Sequence, residues 1–183
     1  YKRQTSMFAA ISIFLYTSVY TPLKTKTPLA VFVGAFPGGI PFMLGWVAAT
    51  GSFGLEAGTL FMIQFFWQFP HFWAIGWLMF DDYQRAGINM LPSGKRDRKT
   101  ALQAVLYSIW TLVISVFPVL GLTGDLQITV GAAVLVALSG LWLIISSMRL
   151  FLKLDQESAR QLMIVSVIYI SLIQIIYVID KLI

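Results

Sequence analysis

The sequence predicts an all-α fold, a polytopic bundle of transmembrane helices, on three observations. The chain of 183 residues is 58% hydrophobic and only 11% charged, with mean hydropathy +0.79. A soluble domain carries about a quarter charged residues, so this one has too few to cover a water-facing surface. The apolar residues fall in long runs of the length that crosses a bilayer, roughly 20 residues each. The basic residues gather in alternate connections between those runs, as the positive-inside rule requires.

Six segments follow in order, at about 5–21, 28–50, 57–80, 101–122, 127–150 and 160–180. The first is the shortest. It has a basic start like that of a signal peptide, but it lacks a small-residue cleavage site and further spans follow directly. Turn signals separate the segments at Thr21-Pro22, Thr50-Gly51, Pro92 to Gly94 and Thr123-Gly124-Asp125. The second segment contains Gly34, Pro37, Gly38, Gly39 and Pro41. It is expected to be kinked or broken, which lipid tolerates only where neighbouring helices or a cavity satisfy the freed backbone. Lys24 and Lys26 follow the first segment, Arg85, Lys95, Arg96, Arg98 and Lys99 the third, and Arg149, Lys153 and Arg160 flank the loop after the fifth. These connections share one side, read as cytoplasmic. The connections at Ser52–Glu56 and Thr123–Gln127 carry no Lys or Arg, while Lys2 and Arg3 fall opposite the basic loops.

Composition also excludes. Without cysteine there is no disulfide framework and no thiolate metal site. A lone histidine, His71, excludes a zinc or haem site needing two imidazoles from this chain. The net charge of +5 is spread over short loops between apolar spans, which fits topology and attraction to anionic lipid rather than nucleic-acid binding.

Chemistry concentrates in the third segment. It reads Gln64-Phe65-Phe66-Trp67-Gln68-Phe69-Pro70-His71-Phe72-Trp73 and is followed by Asp81-Asp82-Tyr83. On a straight helix, His71 lies about 20° from Asp82, Gln68 about 40° away on the other side, and Gln64 in line with it. These four predict a polar stripe with His71 about 16 Å below Asp82. Polar groups at that depth face a bundle interior or a wet cavity. The bland alternative is that Gln64, Gln68 and His71 only hydrogen-bond neighbouring helices. Two carboxylates beside a helix C-terminus are unfavourable unless a cation is near. Paired acids before a basic loop suit a magnesium-diphosphate site, because magnesium takes one or two carboxylates and completes its shell with substrate oxygens and water. Lys95, Arg96, Arg98 and Lys99 would neutralise the remaining phosphate charge, although each also serves as topology signal. An apolar cavity below such a mouth suits a polyisoprenoid tail.

Several motifs carry a resemblance. Tyr20-Thr21-Pro22-Leu23-Lys24, Thr27-Pro28, Gly34, Pro41 and Gly45-Trp46 are similar to the fourth and fifth helices of the haem O synthases. These are the protohaem farnesyltransferases of the intramembrane aromatic prenyltransferase (UbiA-type) superfamily. Pro70-His71-Phe72-Trp73, Asp82-Tyr83-x-x-Ala86-Gly87 and Met90-Leu91-Pro92 resemble the sixth helix and the loop after it. The resemblance runs through most of the chain and implies a single prenyltransferase domain over 1–183, comprising the last six of nine spanning helices. It implies magnesium-dependent transfer of farnesyl from farnesyl diphosphate to a vinyl group of haem b, giving haem O for respiratory oxidases. By motif, Asp82, with Asp81, binds metal and diphosphate, Tyr83, Lys95 and Lys24 contact diphosphate, and His71 and Gln68 line the substrate pocket. Expected partners are membrane lipid and a haem A synthase, in the bacterial inner membrane. Two departures stand out. The family's first acidic motif lies upstream of Tyr1, so half the metal site is outside this chain and the chain alone is expected to be inactive. Ala30 also stands where many relatives carry Asn. A quinone- or chlorophyll-type prenyltransferase and a transporter or assembly protein are the competing readings.

Overall fold

The computed structural model describes residues 2–183, which are helical and contain no strand. Helix α1 (Lys2–Phe14) runs through a π-helical turn (Leu15–Tyr20) into the short α2 (Thr21–Leu23). Then come α3 (Leu29–Thr50), α4 (Leu55–Leu78), the short α5 (Phe80–Arg85), α6 (Arg98–Val116, with a 3-10 turn at Phe117–Leu120), α7 (Val130–Lys153) and α8 (Gln156–Leu182). The Thr21-Pro22 turn expected from sequence is absent. Proline clashes with the carbonyl four residues back, and the wider π turn, with Thr21 Oγ1 donating to Tyr16 O at 2.8 Å, lets the helix pass through Pro22.

Five helical stretches, Arg3–Leu23, Leu29–Thr50, Arg98–Leu120, Val130–Lys153 and Gln156–Leu182, are long and apolar enough to cross a membrane. The sixth expected span is α4. Its 24 residues give about 36 Å of helix, but two glutamines, a histidine, a proline and three tryptophans lower its hydropathy. Helix α4 packs between α3, α6 and α8, which cover it from lipid. Leu135, Leu138, Trp142 and Ile145 of α7 and Ile164, Val167 and Ile175 of α8 face outward, as lipid-facing positions should.

Lipid is as apolar as leucine, so close packing rather than hydrophobic burial holds such helices together. The sequence supplies small residues for it. Ala101, Ala104, Ser108, Thr111 and Ser115 recur every three or four positions and form the buried face of α6. Their hydroxyls return to their own helix, Ser108 Oγ to Ala104 O, Thr111 Oγ1 to Tyr107 O and Ser115 Oγ to Thr111 O, each at 2.8 Å. With its hydrogen so used, Ser115 Oγ accepts from the Tyr169 hydroxyl at 2.8 Å, and Ser115 O accepts from Tyr177. Gly140 of α7 meets Leu112 of α6 at the closest approach, where an added Cβ would collide with the leucine side chain.

Helix α3 is unbroken despite Pro37 and Pro41. Pro41 has no N–H for Pro37 O, and the Ser12 hydroxyl donates to that carbonyl from α1 at 3.0 Å. The connections sort into two ends. Asn89 N donates to Lys24 O at 3.4 Å, placing the loops after α2 and α5 together at the basic end. At the far end Glu56 Oε1 accepts from Asp125 N at 3.0 Å, Lys181 Nζ donates to Asp125 O at 3.0 Å, and Asp180 accepts from Thr129 N at 2.8 Å.

Gly140→Ile is expected to lower resistance to denaturant by about 1–3 kcal/mol through overpacking against Leu112, read as unfolding of the detergent-solubilised protein. A conservative exchange on the outward face of α7, such as Leu138→Ile, should change it by less than about 0.5 kcal/mol.

Candidate active site

The polar residues of α4 do not form one stripe with Asp82. The helix ends at Leu78, Met79 leaves helical geometry at φ −95° and ψ 21°, and α5 starts afresh at Phe80. Angular arithmetic along a straight helix does not carry across that break. The break also changes the electrostatics: Asp81 and Asp82 lie in the first turn of a new helical segment, where carboxylates are favoured, rather than at a C-terminus.

Arg96 fills the place of the cation expected at the end of α4. Its Nε donates to Trp77 O at 2.7 Å and its Nη2 to Leu78 O at 3.4 Å, satisfying carbonyls that the helix end leaves free. Nη1 reaches Asp81 Oδ2 at 3.3 Å, and the guanidinium lies 5.0 Å from the Phe80 ring centroid. In the sequence Arg96 stands out only as one of four loop cations. The loop holding it is itself fixed by Asp97, which caps α6 by accepting from Thr100 N at 2.9 Å and from Ser93 Oγ at 2.8 Å. Partial burial pushes the Asp97 carboxyl up, but the hydrogen bonds from Thr100 and Ser93 outweigh it and leave the group below the usual carboxylate range.

Asp82 is 62% exposed and meets only Arg85, at 3.5 Å, a weak pair that a stronger cation would displace. Asp81 is 67% exposed. Lys95 is exposed and Lys24 half-buried, and neither ammonium has a hydrogen-bond or ion-pair partner among the described residues. Tyr83 is half-buried, with its ring against the core and its carbonyl accepting from Ile88 N at 2.8 Å. Among the described residues no three acidic or imidazole side chains gather that could hold a metal unaided. The donor set of two adjacent, hydrated carboxylates amid cations fits instead a divalent ion that a diphosphate helps to ligate.

A cavity of about 470 Å³ lies between α1, α3 and α4, with Tyr20 and, from the loop after α5, Met90 among its lining residues. Apolar side chains such as Ile13, Val31, Phe72 and Met90 dominate its walls; Ser12, Thr17 and Gln68, with the tyrosines Tyr16 and Tyr20, supply its polar atoms. Gln68 is only 3% exposed, and its Nε2 donates to Ala35 O and Gln64 O, both at 3.1 Å. Gln64 turns its own Oε1 into the interior without a partner among the described residues.

His71 faces elsewhere. The Ser166 hydroxyl donates to Met163 O at 2.7 Å, so the 2.8 Å contact between His71 Nδ1 and Ser166 Oγ requires a proton on Nδ1 and leaves Nε2 as the acceptor. This tautomer is assigned from the network. The imidazole stacks on Trp67 at 4.8 Å between centroids, and Trp67 Nε1 donates to Ser166 O at 2.6 Å. The structure thus places Gln68 on the cavity wall and His71 against α8, on a different side of α4. Asn89 carries a buried Oδ1 without a partner near the mouth; nothing in its sequence context marked it.

The structure thus offers two exposed carboxylates among cations at one end of a helical bundle, and a largely apolar cavity between α1, α3 and α4. The chain matches the model of the UbiA prenyltransferase family over residues 1–173 and belongs to that family. It is 66% identical to the protoheme IX farnesyltransferase of Flavobacterium johnsoniae and 63% identical to that of Christiangramia forsetii, each over 97% of this chain and 59% of the relative. The protoheme IX farnesyltransferase of Cytophaga hutchinsonii is 41% identical over 96% of this chain and 60% of the relative. The chain therefore spans about three-fifths of the length of these curated relatives. No solved structure matches it.

Arg96→Met should destabilise the protein by about 1.5–3 kcal/mol, the range for hydrogen bonds from a charged donor, while Lys95→Met leaves thermal stability in detergent unchanged. Asp97→Ala should cost about 0.5–2 kcal/mol at neutral pH as a lost cap. Because the Asp97 carboxyl is held low, its contribution is present above the ordinary carboxylate range and lost as pH falls through its lowered value. The stability gap between wild type and Asp97→Ala should accordingly close below about pH 4.

Proposed function

We propose that the full-length protein transfers a farnesyl group from farnesyl diphosphate to a vinyl group of haem b, giving haem O. The observation that carries this reading is the exposed Asp81-Asp82 pair among loop cations, in a bundle that also holds a largely apolar cavity. Identity of 62–66% with three relatives named protoheme IX farnesyltransferase supports the choice of substrates.

The roles follow from charge and access. Asp82, with Asp81 beside it, holds the diphosphate through magnesium, which when bound stabilises the negative charge of the departing diphosphate. Lys24 and Lys95 supply mobile point charges from two loops at the mouth of the cavity. Tyr83, next to Asp82 in the chain, is a hydroxyl donor for phosphate oxygen. Arg96 is already committed to the end of α4, so its part is to hold Asp81 and the loop in place. The apolar walls exclude bulk water from the allylic carbon until the vinyl carbon attacks it. Gln68 lies deep in the same cavity. His71 offers Nε2 on the α8 side as an acceptor for the haem. The basic end faces the cytoplasm of a bacterial inner membrane, where charged diphosphates are available. A haem A synthase receives the product.

The test is haem analysis of membranes from cells supplied with haem b and carrying the whole coding sequence. Wild type should yield haem O. Asp82→Ala should lower its rate at least about 100-fold, the scale for loss of a key electrostatic contact, and Asp81→Ala less. Chelation should stop the reaction and added magnesium restore it. Full activity in Asp82→Ala removes its assigned role. Prenylated quinones without haem O would point to a different acceptor.

A further inference from the structure

We propose that Ser12, Gly38 and Gln68 form a polar stop at the floor of the cavity that sets the length of isoprenoid chain the protein accepts. The inference rests on the reading above that this cavity receives the chain.

The dimensions come first. The upper end of the cavity is marked by Tyr20 and Met90, and Met90 packs on Gly76 of α4. The lower end is marked by Ser12 and Gln68. Gly76 to Gln68 is eight residues of α4, so that wall descends about 12 Å at α-helical rise; the facing wall from Tyr20 to Ser12 includes the π-helical turn and is shorter. From ordinary covalent bond lengths an extended isoprene unit spans about 5 Å. Two units fit between mouth and floor, while the first unit, bearing the diphosphate, stays at the mouth. That is a fifteen-carbon chain.

The chemistry of the floor then opposes a fourth unit. Both Gln68 amide hydrogens are engaged by Ala35 O and Gln64 O, and reversing the amide would set its oxygen against two carbonyls. Its Oε1 therefore faces the floor, with no hydrogen-bond partner among the described residues. The Ser12 hydroxyl gives its hydrogen to Pro37 O, so towards the cavity it too is an acceptor. Gly38 lies between them, and the Gln68 carboxamide fills the space that a Cβ on Gly38 would need. The floor is thus two acceptors with no donor, a pair that a water molecule satisfies and a hydrocarbon does not. A longer chain would have to displace that water and leave two buried acceptors unpaired. It would gain little in return, since the same hydrocarbon is equally at home in lipid.

The experiment uses the full-length protein in lipid vesicles with haem b and either farnesyl or geranylgeranyl diphosphate, and reads kcat/KM for each from the mass of the extracted haems. Wild type should strongly prefer the fifteen-carbon donor. Gln68→Leu should raise relative use of the twenty-carbon donor about tenfold, the effect of removing one acceptor that would be stranded. Ser12→Ala also frees Pro37 O, so its folding is checked by thermal melting in detergent, and it should shift the ratio in the same direction by less. An unchanged ratio in Ser12→Ala and in folded Gln68→Leu overturns the stop, even if overall rates fall. Equilibrium binding of the unreactive thiodiphosphate analogues of both lengths separates this inference from the reading it rests on. A shifted binding ratio without any prenylated haem would uphold the stop and sink the proposed reaction. Prenylated haem with unshifted ratios would do the reverse.

Discussion

The arrangement of the mouth depends on how one helix ends. Helix α4 is the central element of the bundle, and a helix ending inside protein leaves carbonyls that must be paired. Arg96 pairs two of them with one rigid, permanently charged group. The same guanidinium holds Asp81 and lies over Phe80. A lysine could reach one carbonyl but not two carbonyls and a carboxylate together. Because α4 stops there, α5 starts afresh after Met79, and its first turn carries Asp81 and Asp82 with both carboxylates largely exposed. The exposure of both carboxylates follows from that break, and it is what the proposed metal-diphosphate site would use.

The same need to pair every backbone group explains why α1, α3 and α4 can tolerate proline and glycine beside a cavity. Pro22 is carried by a π turn, and the carbonyl freed by Pro41 is met by Ser12 from the adjacent helix. Gly38 admits the Gln68 carboxamide against its backbone. Each of these irregularities is accommodated, within its own helix at Pro22 and by a side chain from a neighbour at Pro41 and Gly38, as lipid demands. Away from the cavity, the serines and threonines of α6 and the tyrosines of α8 close among themselves.

Spans were legible because length and hydropathy decide them with little help from tertiary structure. Residues 28–50 and 127–150 nearly coincide with α3 and α7. The grouping of the basic loops at one end was legible from Lys24, Arg96 and Arg98, since the charge pattern is local. What failed was arithmetic that assumed a straight helix from Gln64 to Asp82. The break at Met79 is fixed by Arg96, from a loop further along the chain, and no local pattern announces it. For the same reason His71 could be placed on α4 but not assigned to its neighbour, because Ser166 on α8 draws it away from the face of Gln68. Thr21-Pro22 has the composition of a turn, and only the π geometry keeps it helical.

Unused hydrogen-bonding capacity is unevenly spread, and its distribution is an argument about function. Among the described residues, Gln64 Oε1 and Asn89 Oδ1 are buried without partners, and Gln68 Oε1 packs beside Gly38 at the cavity without a hydrogen-bond donor. All three lie on α4 or the loop that closes over it. Elsewhere the buried hydroxyls Ser108, Thr111, Ser115 and Ser147 are each paired. An unpaired buried acceptor costs free energy that packing must offset, so a bundle with no ligand to hold would have little reason to keep two of them on α4 and a third in the loop after α5. Gln68 lines the cavity itself, and acceptors left open in this way are the expected signature of groups whose partners arrive with a ligand or with water.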